Sequence, residues 1–166
     1  MWFCSTREGY QGVNWFTAEF RDVSWHNWQP VDFDPAYEVG ELHISSDGSE
    51  LYFASRRTGG AGGQDIWVSH LSSGVWQAPE AVAAINTTDD EGYPALSPDD
   101  SQLWFSRNYG IWRSMKGPDG WQAPELIISP LAGEPTLDQA GNVYFVHHFY
   151  HQNTMLEADI YVAHKK

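Results

Sequence analysis

Short apolar runs recur along the chain, each rich in Val, Ile, Leu, Tyr, Phe and Trp and each followed by polar residues. One reads LYFAS at Leu51 to Ser55 and returns as LWFS from Leu103, VYFV from Val143 and WFCS from Trp2. A second, DIWVS from Asp65, has counterparts beginning at Asn14, Gly110 and Asp159. A third, GVWQAPEAV from Gly74, returns as GWQAPELI from Gly120 and, shortened, as NWQPV from Asn27. A fourth opens the units: GELHISSDGS from Gly40, GYPALSPDD from Gly92 and GEPTLDQAG from Gly133. Gly, Asp, Ser and Asn separate the runs, as tight turns separate short strands. No stretch places apolar residues at helical spacing between caps, so helix is predicted to be nearly absent.

In chain order the unit is a four-stranded antiparallel meander: ELHIS, ELYFAS, DIWVS and VWQAPE. Its spacing of roughly 45–50 residues is that of a β-propeller blade, whose sheets stack face to face around a channel. Adjacent apolar pairs such as Tyr52-Phe53 and Trp104-Phe105 fit strands covered on both faces. Phe53, Trp67, Phe105 and Trp112 are therefore expected where blades meet. Trp28, Trp76 and Trp121, one to a unit, read as packing each blade on the next, the other reading being a sugar-stacking platform.

The fold class is all-β, a propeller of about four four-stranded antiparallel blades within one domain spanning 1–166. Its units run approximately 1–35, 36–85, 86–130 and 131–166. The first and last are incomplete, with three strands each, because nothing precedes Trp2 and only His164-Lys165-Lys166 follows Ala163. The ring is a minimal closed one, a segment of a larger ring, or an arc whose edges a second copy covers. Uncovered edges bearing Trp2, Phe3 and Tyr161 are an aggregation hazard, so a homodimer through the terminal blades is expected.

The segments ISSDGSELYFASRRTGGAGGQDIWVS and ALSPDDSQLWFSRNYGIWRS resemble the WD-like repeat of TolB-type propellers, with its SPDG turn, L-x-F-x-S strand and D-I-[YW]-V strand. The resemblance covers nearly the whole chain. It is weaker in the last unit, where DQAG replaces SPDG, and in the first, which lacks that segment. Such propellers include periplasmic binding proteins and the gating domains of peptidases. The resemblance therefore implies a fold rather than an activity, and it assigns no catalytic residue.

With 22 acidic against 9 basic residues the formal charge is −13, which disfavours nucleic acid and anionic membrane surfaces. A protein or a small polar ligand remains as partner. One cysteine excludes an intrachain disulfide. No secretory signal is evident, so compartment stays open, periplasmic or extracellular if the chain derives from a longer precursor.

Candidate chemistry gathers at one rim. In a propeller, the start of each first strand and the loop between second and third strands lie around the channel mouth. That places Glu41, Tyr93 and Glu134, which align with one another, beside Arg7, Arg57, Arg107 and His148. Such a face either binds a polar ligand through charged groups or pairs its carboxylates with its arginines to steady the rim. No cofactor is implied. The run from His147 to His151 lacks a zinc motif, and the SSDG and SPDD turns read as blade turns rather than ion sites. No G-x-S-x-G elbow is present, and Cys4 aligns with Ala54, where a small buried residue is expected.

The leading functional reading is a non-catalytic binding propeller. Its alternatives are a glycoside-active enzyme using Glu41 and Glu134 as paired carboxylates, or a structural segment of a larger extracytoplasmic protein.

Overall fold

The computed structural model describes residues 1–31 and 36–165, which leaves the first unit boundary, at residue 35, outside the described residues. Among them there is no helix. Four antiparallel sheets follow one another as the blades of a four-bladed propeller. Blade 1 holds β1 (Trp2–Thr6), β2 (Val13–Arg21) and β3 (Ser24–Pro30). Blade 2 holds β4 (Val39–Ile44), β5 (Glu50–Ser55), β6 (Asp65–Ser72), β7 (Val75–Trp76) and β8 (Glu80–Ala81). Blade 3 holds β9 (Glu91–Leu96), β10 (Gln102–Arg107), β11 (Gly110–Gly117), β12 (Gly120–Trp121) and β13 (Glu125–Ile128). Blade 4 holds β14 (Ala132–Leu137), β15 (Val143–His151) and β16 (Thr154–Ala163).

The strand expected from VWQAPE is broken in two. β7 pairs with the end of β6 and β8 with its middle, and β12 and β13 repeat this along β11. The Gln77 and Gln122 N–H groups still donate to the third strand, but Pro79 and Pro124 carry no N–H for the ladder, so the Ala-Pro step leaves it. The gap is fastened from the third strand, where the hydroxyls of Ser69 and Ser114 each donate to a glutamine carbonyl, of Gln77 and Gln122, at 2.6 Å.

Each pair of consecutive blades encloses its own apolar cluster. Between blades 1 and 2 lie Trp15, Val39, Leu51, Phe53 and Trp67. Between blades 2 and 3 lie Tyr52, Ile66, Val82, Ile85, Leu96, Leu103 and Phe105, with half-buried Trp112 and Trp121 against them. Between blades 3 and 4 lie Ala95, Trp104, Ile111, Ala132 and Val143. Successive residues of one strand thus serve different clusters, Tyr52 facing forward and Phe53 backward, which is why β5 is apolar without alternation.

The SSDG and SPDD turns are structural. Asp47 accepts the Ser45 and Ser49 hydroxyls, both at 2.7 Å, and the Ser49 N–H at 2.9 Å. Asp99 repeats this with Ser97 and Ser101. The donated hydrogen bonds, those from Ser49 and Ser101 foremost, hold both carboxyls down to about 2. Asp100 stands where the other turn has Gly48, at φ 54 against 74, and its carboxylate accepts the N–H of Ser46 across the blade interface at 3.0 Å.

Cys4 departs from expectation. It is exposed, whereas its counterpart Ala54 is buried. Ala54 lies between β4 and β6, but among the described residues β1 has only β2 beside it, so Cys4 sits on an open strand edge.

Candidate functional site

Each first strand of blades 2 to 4 opens on a small triplet, Val39-Gly40-Glu41, Glu91-Gly92-Tyr93 and Ala132-Gly133-Glu134. In all three the pairing with the second strand slips at the third residue, between Gly40 and Leu42, between Gly92 and Ala95, and between Gly133 and Thr136. The bulge residues take positive φ angles: 26 at Glu41, 54 at Tyr93 and 57 at Glu134. β-bulges re-aim a side chain, and left-handed backbone at a non-glycine residue is uncommon enough to mark a constrained position.

The bulges are held by their neighbours. The Glu134 N–H donates to the Ser106 hydroxyl of blade 3 at 2.9 Å, and the Glu41 carboxylate of blade 2 lies beside the Tyr93 backbone. Burial is the main cause that raises the Glu41 carboxyl above its ordinary value, and the negative charges of Glu134 and Glu38 add to it. Its Oε2 is buried without a hydrogen-bond partner. The Tyr93 hydroxyl is likewise pushed up, first by burial and then by Glu41 and Glu134.

Between blades 3 and 4, Tyr93 and Glu134 border a depression of about 350 Å³. The structure brings together there Tyr93, Arg107, Glu134 and His148 from the expected set, with Tyr109 and Tyr150 added. Glu41 does not line it; its carboxylate lies beside the Tyr93 backbone. The His148 imidazole lies 3.8 Å from the Glu134 carboxylate. Tyr109 and Tyr150 meet edge to face at 6.1 Å. Tyr109 was missed in the sequence because it reads as part of a turn; Asn108 and Tyr109 both take positive φ, 50 and 55, in the tight connection of β10 to β11, and that Asn-Tyr-Gly step was the available signal.

Arg7 and Arg57 lie elsewhere. Each blade pairs an aromatic of its second strand with one of its third: Phe3 with Phe16, Phe53 with Trp67, Phe105 with Trp112 and Phe145 with Tyr161. A guanidinium caps three of these pairs. Arg7 lies 5.0 Å from the Phe16 ring, Arg57 5.2 Å from Phe53 and 5.4 Å from Trp67, and Arg107 3.9 Å from Trp112. In blade 4 the His147 ring takes this place, 5.7 Å from Tyr161. These arginines stack on the blades that carry them, and among the described residues neither Glu41 nor Glu134 forms an ion pair with an arginine.

Arg107 has a second partner that the sequence did not suggest. Glu91, fully buried, takes the position of Val39 and Ala132, and its Oε1 lies 3.4 Å from the Arg107 guanidinium. Thr87 donates its hydroxyl to the same carboxylate at 2.6 Å and its N–H at 3.1 Å. The glycine-rich loop from Thr58 to Gln64 closes this side, where the Gln64 N–H donates to Asp90 at 2.7 Å and Arg56 meets Asp90 at 2.9 Å.

Among the described residues no group of three or more His, Cys, Asp or Glu is arranged to hold a metal ion. No protein-family model matches the chain, and no curated protein matches it. The architecture is that of a four-bladed β-propeller.

Proposed function

We propose that the chain is a binding propeller of the TolB type that takes a small polar ligand, neutral or cationic, in the depression between blades 3 and 4. One observation carries the reading: two aligned bulge residues, Tyr93 and Glu134, turn from left-handed backbone into a single cavity that tyrosines also wall. Backbone strain of this kind costs of order 1–3 kcal/mol per residue and persists where the surroundings over-determine it, often at ligand sites. The tyrosine rings supply faces for stacking or for a cation, and Glu134 and His148 supply polar contacts. Arg107 is engaged by Glu91 and Trp112 and serves as floor. Calorimetric titration with neutral sugars, primary amines and dipeptides tests the reading. Binding of one class that Tyr93→Ala and Glu134→Gln both abolish supports it, and no heat from any class at millimolar concentration refutes it.

The rival reading, glycoside hydrolysis, gains from the raised pKa of Glu41, because a general acid must hold its proton. Against it, Glu41 is not among the residues that line the cavity, whereas Glu134 is. Release of nitrophenol from aryl glycosides, lost in both Glu41→Gln and Glu134→Gln, would favour it.

A further inference from the structure

A tryptophan from the fourth strand of one blade sits on the second-strand aromatic of the blade before it, and it does so twice. Trp76 of blade 2 meets Trp2 of blade 1 edge to face, at 6.0 Å and 81°. Trp121 of blade 3 meets Tyr52 of blade 2 at 6.1 Å and 78°, and its indole N–H donates to the Tyr52 hydroxyl at 3.1 Å. Lys116, the strand partner of Trp121, lies 5.4 Å from its ring and reaches Glu50 at 3.2 Å.

The same seat recurs one blade further on, without a tryptophan in it. The repeat places Trp104 where blade 2 has Tyr52, Gln102 where it has Glu50, and Lys165 where blade 3 has Lys116. All three line a cavity of about 410 Å³, with Arg113, Leu137 and Val143. Beside it β16 pairs only with β15 among the described residues, and all ten of its residues are exposed. Its counterparts β6 and β11 each have a fourth strand on that edge.

We infer that this cavity is a tryptophan seat, and that it takes an extended peptide segment of Trp-Gln-x-Pro sequence which pairs along β16 as the fourth strand of blade 4. Edge addition supplies backbone hydrogen bonds, and the pocket selects the side chain. The indole meets Trp104 edge to face, as Trp76 and Trp121 meet Trp2 and Tyr52, with the Lys165 stem over it. One contact is weaker than in the blades: Ala163 stands where Ser69 and Ser114 donate to the glutamine carbonyl, so the docked strand has one hydrogen bond fewer. That difference suits an exchangeable partner.

The probe is the synthetic peptide GVWQAPEAV, capped at both ends, titrated calorimetrically into the whole chain. The expected result is saturable binding of one peptide per chain, weakened at least about tenfold when alanine replaces the peptide tryptophan. The variant Ala140→Trp fills the cavity from an exposed turn without touching the core, and it should abolish binding while its circular dichroism stays unchanged. No binding at millimolar peptide, equal affinity for the two peptides, or unchanged binding to a folded Ala140→Trp variant would each overturn the inference.

Discussion

The guanidinium of Arg107 is clamped between a ring and a carboxylate: it lies 3.9 Å from the Trp112 centroid and 3.4 Å from Glu91 Oε1, and it donates to the Ile85 carbonyl at 3.2 Å. Both charged residues are buried. Removing one partner strands the other, so Arg107→Ala should destabilise the fold by roughly 3–5 kcal/mol. Replacing both with apolar residues, as Glu91→Val with Arg107→Met, should recover most of that loss, because blades 2 and 4 use Val39 and Ala132 at the Glu91 position. Denaturant unfolding of the two variants checks this, and a double variant no better than Arg107→Ala would contradict it.

Across the interface of blades 2 and 3, Tyr52→Phe removes the acceptor of the Trp121 indole and should cost about 1 kcal/mol. Trp112→Ala should cost more, about 3–5 kcal/mol, since the indole packs on the cluster between the blades beneath Arg107. A double-mutant cycle of Tyr52→Phe with Trp121→Phe should return a coupling of the same sign as the lost hydrogen bond, measured from unfolding midpoints.

Two carboxyls should respond to pH in opposite senses. Burial raises the folded-state pKa of Glu41, so its contribution is fully present below the unfolded value and is lost as pH rises through the folded one. Glu41→Gln should therefore be more stable than the parent at neutral pH, with the advantage disappearing in acid. Hydrogen bonds from Ser101 and Ser97 hold Asp99 at about 2, so its contribution is present above the unfolded value and lost as pH falls toward 2. Asp99→Asn should be the less stable partner at neutral pH and converge with the parent in acid. Melting temperatures from pH 2 to 8 test both signs.

The glycine-rich loop tolerates side chains unevenly. A Cβ at Gly62 would lie 2.4 Å from the Thr87 carbonyl oxygen and 2.7 Å from that of Asp89, both backbone atoms that cannot yield easily. Gly62→Ala should cost about 1–3 kcal/mol and pull the loop off blade 3. At Gly40 the same atom meets nothing within 4 Å and φ is not positive, so Gly40→Ala should stay within about 0.5 kcal/mol of the parent. Thermal unfolding of the two variants separates them.

Ile160 is 78% exposed, although Trp15, Ile66 and Ile111 at its position in the other blades are 8%, 0% and 0% exposed. With Val162 on the same face of β16 it leaves an apolar surface that a second copy should cover. Light scattering at micromolar concentration should show self-association that Ile160→Asp abolishes. A parent chain that runs as an 18.8 kDa monomer would contradict this.

The blades were legible because a recurring run and a recurring turn are the same physical unit written again. LYFAS, DIWVS and the SSDG turn each became what their residues dictate, and Trp76 and Trp121 repeat because they fill the same seat. The site was legible only in part. Glu41, Tyr93 and Glu134 align, so their shared bulge could be anticipated. Glu91 was passed over because a charge in register with Val39 and Ala132 looks like a surface residue until its partner, sixteen positions away, is known. The arginines misled in the other direction. A guanidinium near a rim suggests a ligand, whereas these lie over the aromatic faces of their own blades, and Arg107 is paired with Glu91 as well.

The three bulges also bear on how such a protein can change. At each, the chain geometry is set by a slipped ladder and the glycine before it, while the side chain itself varies as Glu, Tyr and Glu. Scaffold and recognition are thereby uncoupled at one repeated address. A new residue at Tyr93 or Glu134 alters what the cavity presents without asking the blade to repack, which makes positions 93 and 134 the natural place to graft a different specificity onto the propeller.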